Sequence, residues 1–202
     1  MSMSLTYQAA KRLVDVIVAG VGLVILSPML FGSAVAVRTT SPGPVLFRQS
    51  RVGRDGRPFE LLKFRSMADC ATGTSITAAG DARITKVGRV LRQYKLDELP
   101  QLLNVLTGDM SLVGPRPELE KYVDKYPQEY ARILAIRPGM TDFAAVEYRD
   151  EERILARTPD PEHAYVDEIL PAKIQLYFKY LDDVSFRTDV SLIGKTVLAV
   201  IR

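Results

Sequence analysis

From Val16 to Val37 the chain runs for 22 residues without a charge, VIVAGVGLVILSPMLFGSAVAV. A bilayer core takes about 20 apolar residues in a helix, so membrane insertion is the first expectation. A cleaved leader fits less well, because its apolar stretch runs to about 7–15 residues and no small-residue cleavage site follows. A buried core helix has the same composition. Two details weigh against an ordinary span. Ser27-Pro28 sits mid-run, where proline removes the bond to the Val24 carbonyl and bends a helix. Lys11 and Arg12 flank one end and Arg38 the other, so the positive-inside tendency draws both ends to the same face. A helix broken at its midpoint, entering and leaving on one side, satisfies both facts; a straight span that tolerates its proline is the competing arrangement. Asp15 is expected to pair with Lys11, with Arg12 or with basic groups elsewhere in the chain.

The remainder is globular in composition. The 202 residues are 47% apolar and 25% charged, with 13 Gly and 12 Pro, which excludes wholesale disorder, collagen-like repeats and a pure coiled coil. A single cysteine, Cys70, cannot form an internal disulfide, and no cluster of cysteine and histidine offers a zinc site. With one histidine, His163, and no serine-elbow motif, a histidine-based triad has little support. Residues 1–95 hold 14 Lys and Arg against 5 Asp and Glu, whereas residues 96–202 hold 13 against 19. A basic front half suits an anionic partner, which charge alone leaves open among nucleic acid, lipid headgroups and a phosphorylated small molecule.

Thr39–Pro44 is a turn-rich exit from the apolar run. Residues 45–52 and 59–67, rich in β-formers and separated by Gly53-Arg54-Asp55-Gly56-Arg57, predict a hairpin. Residues 68–80 read as a mobile loop. Ile84, Val87, Val90, Leu91 and Tyr94 share one helical face. This basic amphipathic helix suits an anionic membrane surface, or equally a core contact with its basic side wet. A short helix then ends at Gly108, helix is expected over about 118–135, and residues 147–189 are mostly helical with breaks near 158–161 and 182–185. Val190–Ile201 is apolar but too short to span.

Two constellations can carry chemistry. Asp97-Glu98 suits a helix start, with Asp97 as cap and Glu98 favoured by the dipole. The same placement keeps a carboxylate ionised, able to attack phosphorus or hold a divalent cation. Lys63 and Arg65 alternate on one strand face, Arg116 lies between two prolines, and Arg137 precedes a Pro-Gly turn. Each alone reads as a surface cation or structural ion pair; cations beside rigid turns also suit phosphate oxygens.

FRQSRVGRDGRPFELLKFRSM (47–67), VGRVLRQYKLDELPQLLNVLTGDMSLVGPRP (87–117) and RPGMTD (137–142) resemble the monotopic phosphoglycosyltransferases, the bacterial sugar transferase family. The likeness runs from about residue 10 to 142, and Ser27-Pro28 matches that family's re-entrant helix. It implies an α+β, mainly helical fold: a re-entrant membrane helix with its basic flank over 1–38, then a catalytic domain over 39–202 with a small hairpin and interfacial helices. It also implies transfer of a sugar 1-phosphate from a UDP-sugar to undecaprenyl phosphate at the cytoplasmic face of the bacterial inner membrane, with release of UMP. Asp97 then corresponds to the nucleophile and Glu98 to its partner, both beside Mg²⁺. Arg116 belongs to the nucleotide-sugar site, and Lys63, Arg65 and Arg92 lie around the phosphates, with Arg137 a further candidate. Membrane lipids are implied as partners, nucleic acid is not, and a homodimer is compatible. No large membrane domain precedes residue 10, as expected of a minimal catalytic form. Many members read RPGITGLAQV where this chain has RPGMTDFAAVEYR (137–149), so Asp142 stands in place of glycine. A glycosyltransferase releasing UDP and a non-enzymatic membrane-tethered scaffold are the alternatives; Cys70 and His163 are given no role.

Overall fold

The computed structural model describes residues 5–68 and 76–201, so Cys70 and most of the expected loop lie outside the described residues. Helix α1 (Leu5–Ile25) and helix α2 (Ser27–Thr40) meet at Leu26 with a bend of 63°. Pro28 sits in the first turn of α2, where its missing N–H costs nothing. The Val24 carbonyl that proline leaves unbonded accepts the Ser27 hydroxyl at 2.8 Å. The break is thus satisfied locally, with both residues of the Ser-Pro pair taking part. Neither helix is by itself long and apolar enough to cross a membrane, whereas the bent pair has the length and composition.

The expected hairpin forms from β1 (Leu46–Val52) and β2 (Pro58–Phe64), antiparallel with Leu46 opposite Phe64 and Val52 opposite Pro58. Its turn places Asp55 at φ 56° and Gly56 at φ 75°, conformations that Asp tolerates and Gly adopts freely. Helix α3 (Lys86–Gln93) is capped by Thr85, whose hydroxyl accepts the Gly88 amide at 2.9 Å. Gly88 presses so closely on Ser66 that a Cβ there would meet the Ser66 carbonyl oxygen at 1.9 Å. Leu91 is buried with Val37 and Phe64, fastening α3 to α2 and β2, while Val90 and Tyr94 stay exposed.

A single 3-10 turn (Leu96–Glu98) leads into α4 (Gln101–Thr107), which ends at Gly108 with φ 100°. Then follow β3 (Ser111–Val113), α5 (Glu120–Val123), α6 (Pro127–Ile133) and β4 (Gly139–Thr141). The helix expected over 118–135 is therefore two short ones. Pro127 lacks the N–H that a continuous helix would need, so it opens a second helix instead. Strands β3 and β4 pair in parallel, Ser111 opposite Gly139 and Val113 opposite Thr141. Gly139 has to be glycine, since a Cβ would lie 2.1 Å from the Gly114 nitrogen. The C-terminal part is helical as expected: α7 (Phe143–Glu147), α8 (Glu151–Leu155), α9 (Pro161–Ala164) continuing through a π turn (Tyr165–Ile169), α10 (Leu170–Asp182) and α11 (Phe186–Ile201).

Helix α1 packs on α4 and β3, and Ala19 joins Leu102, Val105, Met110, Leu112 and Leu192 in one apolar cluster. Asp15 goes elsewhere than expected: its carboxylate accepts the Ser111 hydroxyl at 2.8 Å and the Leu112 amide at 3.1 Å. Lys11 pairs instead with Asp189 at 2.6 Å, and Arg12 donates to the Val105 and Leu106 carbonyls at 2.5 and 2.9 Å. Cations at the C-terminal carbonyls of α4 oppose the negative end of its dipole. Helix termini and a strand edge therefore compete successfully for groups that local spacing would pair with one another. A second cluster, around Tyr130, Leu170, Ile174 and Tyr177, joins α6 to α10.

Candidate active site

The DELP segment turns sharply because Lys95 sits in the left-handed region, φ 54°. Asp97 does not act as a helix cap: no capping bond is made at this turn. Its carboxylate is 5% exposed, has no hydrogen-bond or ion-pair partner among the described residues, and keeps Oδ1 buried and unbonded. Burial, reinforced by the adjacent Glu98 charge, pushes the Asp97 carboxyl above the usual carboxylate range, against the pull of Lys63, Arg92 and Lys95.

Glu98 has the opposite surroundings. Both its oxygens take the fork of Arg116, at 3.1 and 2.5 Å, and Lys63 on β2 stands 3.4 Å away. Burial alone would raise this carboxyl, but Arg116 and Lys63 outweigh it and hold Glu98 well below the ordinary range. The Arg116 guanidinium is held charged by Glu98 despite burial, and burial draws the Lys63 ammonium down, offset in part by Glu98. Two consecutive carboxylates are thus set apart by their neighbours, one bound by two cations and one without a partner among the described residues.

Arg116 is placed by its own backbone as well. Its amide donates to Asp142 Oδ2 at 2.9 Å, while Asp142 Oδ1 caps α7 by accepting the Ala145 amide at 2.5 Å. Asp142, fully buried, therefore joins the Gly-Pro-Arg-Pro turn to the first turn of α7. Burial pushes its carboxyl up, and these two amides oppose the shift.

These groups open on a cavity of about 650 Å³. One part of its wall is apolar, with Val18 and Gly22 of α1, Leu26 at the bend and Met29 of α2; another holds Lys63, Arg92, Asp97, Glu98 and Arg116. Of the sequence-predicted residues, those five meet here. Arg92 reaches Ser66 Oγ at 3.3 Å and pairs with Glu152. Arg65 is placed elsewhere. It is buried beside the end of α2, where it donates to the Ser41 carbonyl and hydroxyl at 2.8 and 2.9 Å. Arg137 is also outside the cavity, donating to the Gly108 carbonyl at 2.9 Å, so with Arg12 it secures the end of α4. Closeness to a rigid turn fixes a cation's backbone but says nothing of where the side chain goes.

Three contributors were missed. Arg51 lines the cavity and bonds the Pro117 carbonyl and Glu118, at 3.2 and 3.3 Å. Arg149 lines it with no hydrogen-bond or ion-pair partner among the described residues; it closes the RPGMTDFAAVEYR segment, and an arginine there was a signal to follow. Lys173 on α10 is buried, 2.9 Å from Glu151 and 3.7 Å from Glu118; a lysine on a helix gives no such signal. His163 is exposed, 3.2 Å from Asp167. Among the described residues no group of three or more histidines, cysteines or carboxylates is arranged to hold a metal ion.

The family profile for the bacterial sugar transferases matches residues 6–202. A UDP-N-acetylgalactosamine-undecaprenyl-phosphate N-acetylgalactosaminephosphotransferase of Aeromonas hydrophila is 36% identical over 96% of this chain and 44% of its own length. A UDP-glucose:undecaprenyl-phosphate glucose-1-phosphate transferase of Escherichia coli K12 is 38% identical over 93% of this chain and 39% of its own. The chain thus spans about half the length, or less, of these two relatives. An uncharacterized sugar transferase, EpsL, of Bacillus subtilis is 36% identical over 95% of this chain and 87% of its own length.

Proposed function

Because this chain belongs to the bacterial sugar transferase family, we propose that it is an enzyme moving a sugar 1-phosphate from a UDP-sugar to undecaprenyl phosphate. The observation that carries the reading is the pairing of opposites at residues 97 and 98: a buried carboxylate without a partner among the described residues, beside one clamped by Arg116 and Lys63. A carboxylate left bare in a desolvated site is a nucleophile. Fixed cations around it stabilise charge that develops on phosphate oxygens.

In this reading an Asp97 oxygen attacks the sugar-bearing phosphorus. The bond from that phosphorus to the bridging oxygen breaks, and UMP leaves with the electron pair. The acceptor's phosphate oxygen then attacks the same phosphorus and returns Asp97 as a free carboxylate. Two displacements let UMP depart before the lipid arrives, so two anions need not share the cavity. Arg116, held by Glu98 and by Asp142, and Lys63 bind and orient the diphosphate; Arg92, Lys95 and Arg149 add positive charge.

Mg²⁺ fits this donor set through Asp97, whose Oδ1 is a hard donor with no partner among the described residues. Glu98, saturated by Arg116 and Lys63, serves as anchor for those cations rather than as a principal ligand. Magnesium commonly takes one or two carboxylates and completes its shell with water and substrate phosphate. When bound it would supply charge neutralisation on the diphosphate.

The apolar wall from α1 and α2 gives the lipid acceptor a route to Asp97, and the 63° bend suits a helix pair that enters and leaves the cytoplasmic leaflet of the bacterial inner membrane. The test is incubation with UDP-sugars, undecaprenyl phosphate and Mg²⁺. UMP release and a phosphosugar adduct on Asp97 are expected; UDP in place of UMP would indicate transfer of the bare sugar and reject the reading.

A further inference from the structure

The cavity is larger than a diphosphate needs, and the part of its wall contributed by Arg51, Glu118, Glu151, Tyr165, Lys173 and Tyr177 is rich in buried hydrogen-bonding groups. Most are joined to one another. Tyr165 donates to Glu118 at 2.6 Å, Lys173 to Glu151 at 2.9 Å and to the Tyr165 oxygen at 3.3 Å, and Arg51 to Glu118 at 3.3 Å. Tyr177 is the exception. It is 0% exposed, it lines the cavity, and its phenol oxygen has no partner among the described residues. A buried hydroxyl left unbonded is costly and rare in folded proteins, so a group that completes it from the cavity side is the economical explanation.

Location narrows the ligand. Glu118 follows Arg116 by two residues, with Pro117 between them, a backbone reach of at most about 7 Å. Arg116, Glu118 and Tyr177 line the same cavity, and the Arg116 charge acts on both of the others, so a group attached to a phosphate held by Arg116 falls within reach of them. The residues around it are donors and acceptors in matched ion pairs, the surroundings a ring bearing hydroxyls requires. Glu151, Tyr165, Lys173 and Tyr177 also lie beyond residue 142, outside the motifs that carry the reactive carboxylate.

We propose that this part of the cavity receives the sugar ring of the donor, and that Tyr177, with the Lys173–Glu151 pair, reads its hydroxyl or acetamido groups and so sets which sugar is used. The inference rests on the reading of Asp97 as the reacting group of a UDP-sugar transferase.

Sites built to hydrogen-bond a substrate hydroxyl discriminate far more strongly than apolar pockets. UMP release is measured with UDP-glucose, UDP-galactose, UDP-N-acetylglucosamine and UDP-N-acetylgalactosamine for the unmutated protein, Tyr177→Phe and Lys173→Met. Each variant is expected to change the ratio of kcat/KM between the best donor and its epimer at least tenfold. Tyr130→Phe, which removes an unbonded buried hydroxyl that does not line the cavity, is expected to leave that ratio within twofold. Equal loss for all four donors in Tyr177→Phe, or no change in the ratio, overturns the proposal while the transferase reading survives. A second readout is independent of turnover: the affinity of the Asp97→Asn protein for a UDP-sugar relative to UDP. The gain from the sugar is expected to fall at least fivefold on adding Tyr177→Phe. No gain from the sugar, or a gain that Tyr177→Phe leaves intact, also overturns the proposal, even if no sugar is transferred.

Discussion

The molecule buries carboxylates in two contrasting ways. Where α1 meets the body, Asp15 is 3% exposed and accepts two well-made hydrogen bonds, from Ser111 and Leu112, with Lys11 and Arg12 beside it equally occupied. At the DELP turn, Asp97 is 5% exposed and accepts none from the described residues. Burial with full satisfaction fastens a helix to a strand; burial without it leaves a carboxylate free for the chemistry proposed above. Nearly the same exposure thus accompanies two different surroundings, and only the census of partners separates them.

The contrast is broken most directly at Asp97. Asp97→Asn keeps the shape and removes the proposed nucleophile, so UMP release should fall by at least about 10³-fold while partitioning between membrane and soluble fractions should not change; near-normal turnover would refute the assignment. Asp15→Ala should do the reverse. It leaves a buried amide and hydroxyl without their acceptor, costing about 3 kcal/mol, which thermal unfolding reads as a Tm lower by several degrees; any purified protein should still form the adduct.

Smaller effects sharpen the comparison. An unsatisfied, desolvated carboxylate is a burden on the fold, so Asp97→Asn should raise stability by about 1 kcal/mol, or Tm by about 2–4 °C. Asp15→Asn, which loses acceptor strength, should lower it. The pH dependence follows the shifts. Burial raises the Asp97 carboxyl, so its reactive anion is lost as pH falls through a value above the ordinary 3.9 of aspartate. In the Mg²⁺-free protein the acid limb of UDP-sugar binding, which follows the Asp97 carboxyl, should therefore lie above that value. Glu98 is held well below its ordinary range, so the stability that it contributes is present above the unfolded glutamate value, near 4.3, and is lost as pH falls toward its folded one. A limb at or below pH 4 would remove the burial argument.

Much of this was legible in the residues because it is local. Ser27-Pro28 announced the bend, Gly108 the end of α4, and the two β-rich runs around Asp55-Gly56 the hairpin. The parallel pair β3–β4 was not seen, since three residues per strand leave no periodicity to detect. Asp15, Arg65 and Arg137 were assigned partners or roles from nearby charges and turns, but their bonds go to Ser111, Ser41 and Gly108, groups far along the chain or electrically neutral. The motifs hold Asp97, Glu98, Lys63, Arg92 and Arg116, and the fold brings these five to one cavity. Lys173 and Tyr177 sit on α10, where their spacing marks only a packed helix face; that they border a cavity is a property of the tertiary fold.

Asp142 has a practical bearing on protein engineering. Because its two oxygens bridge Arg116 and Ala145, residues 137–149 are not a cassette that can be exchanged with a relative carrying glycine at that position. Such a chimaera would leave the arginine turn without its acceptor, and a workable crossover must carry the Gly-Pro-Arg-Pro loop and the start of the following helix from the same parent.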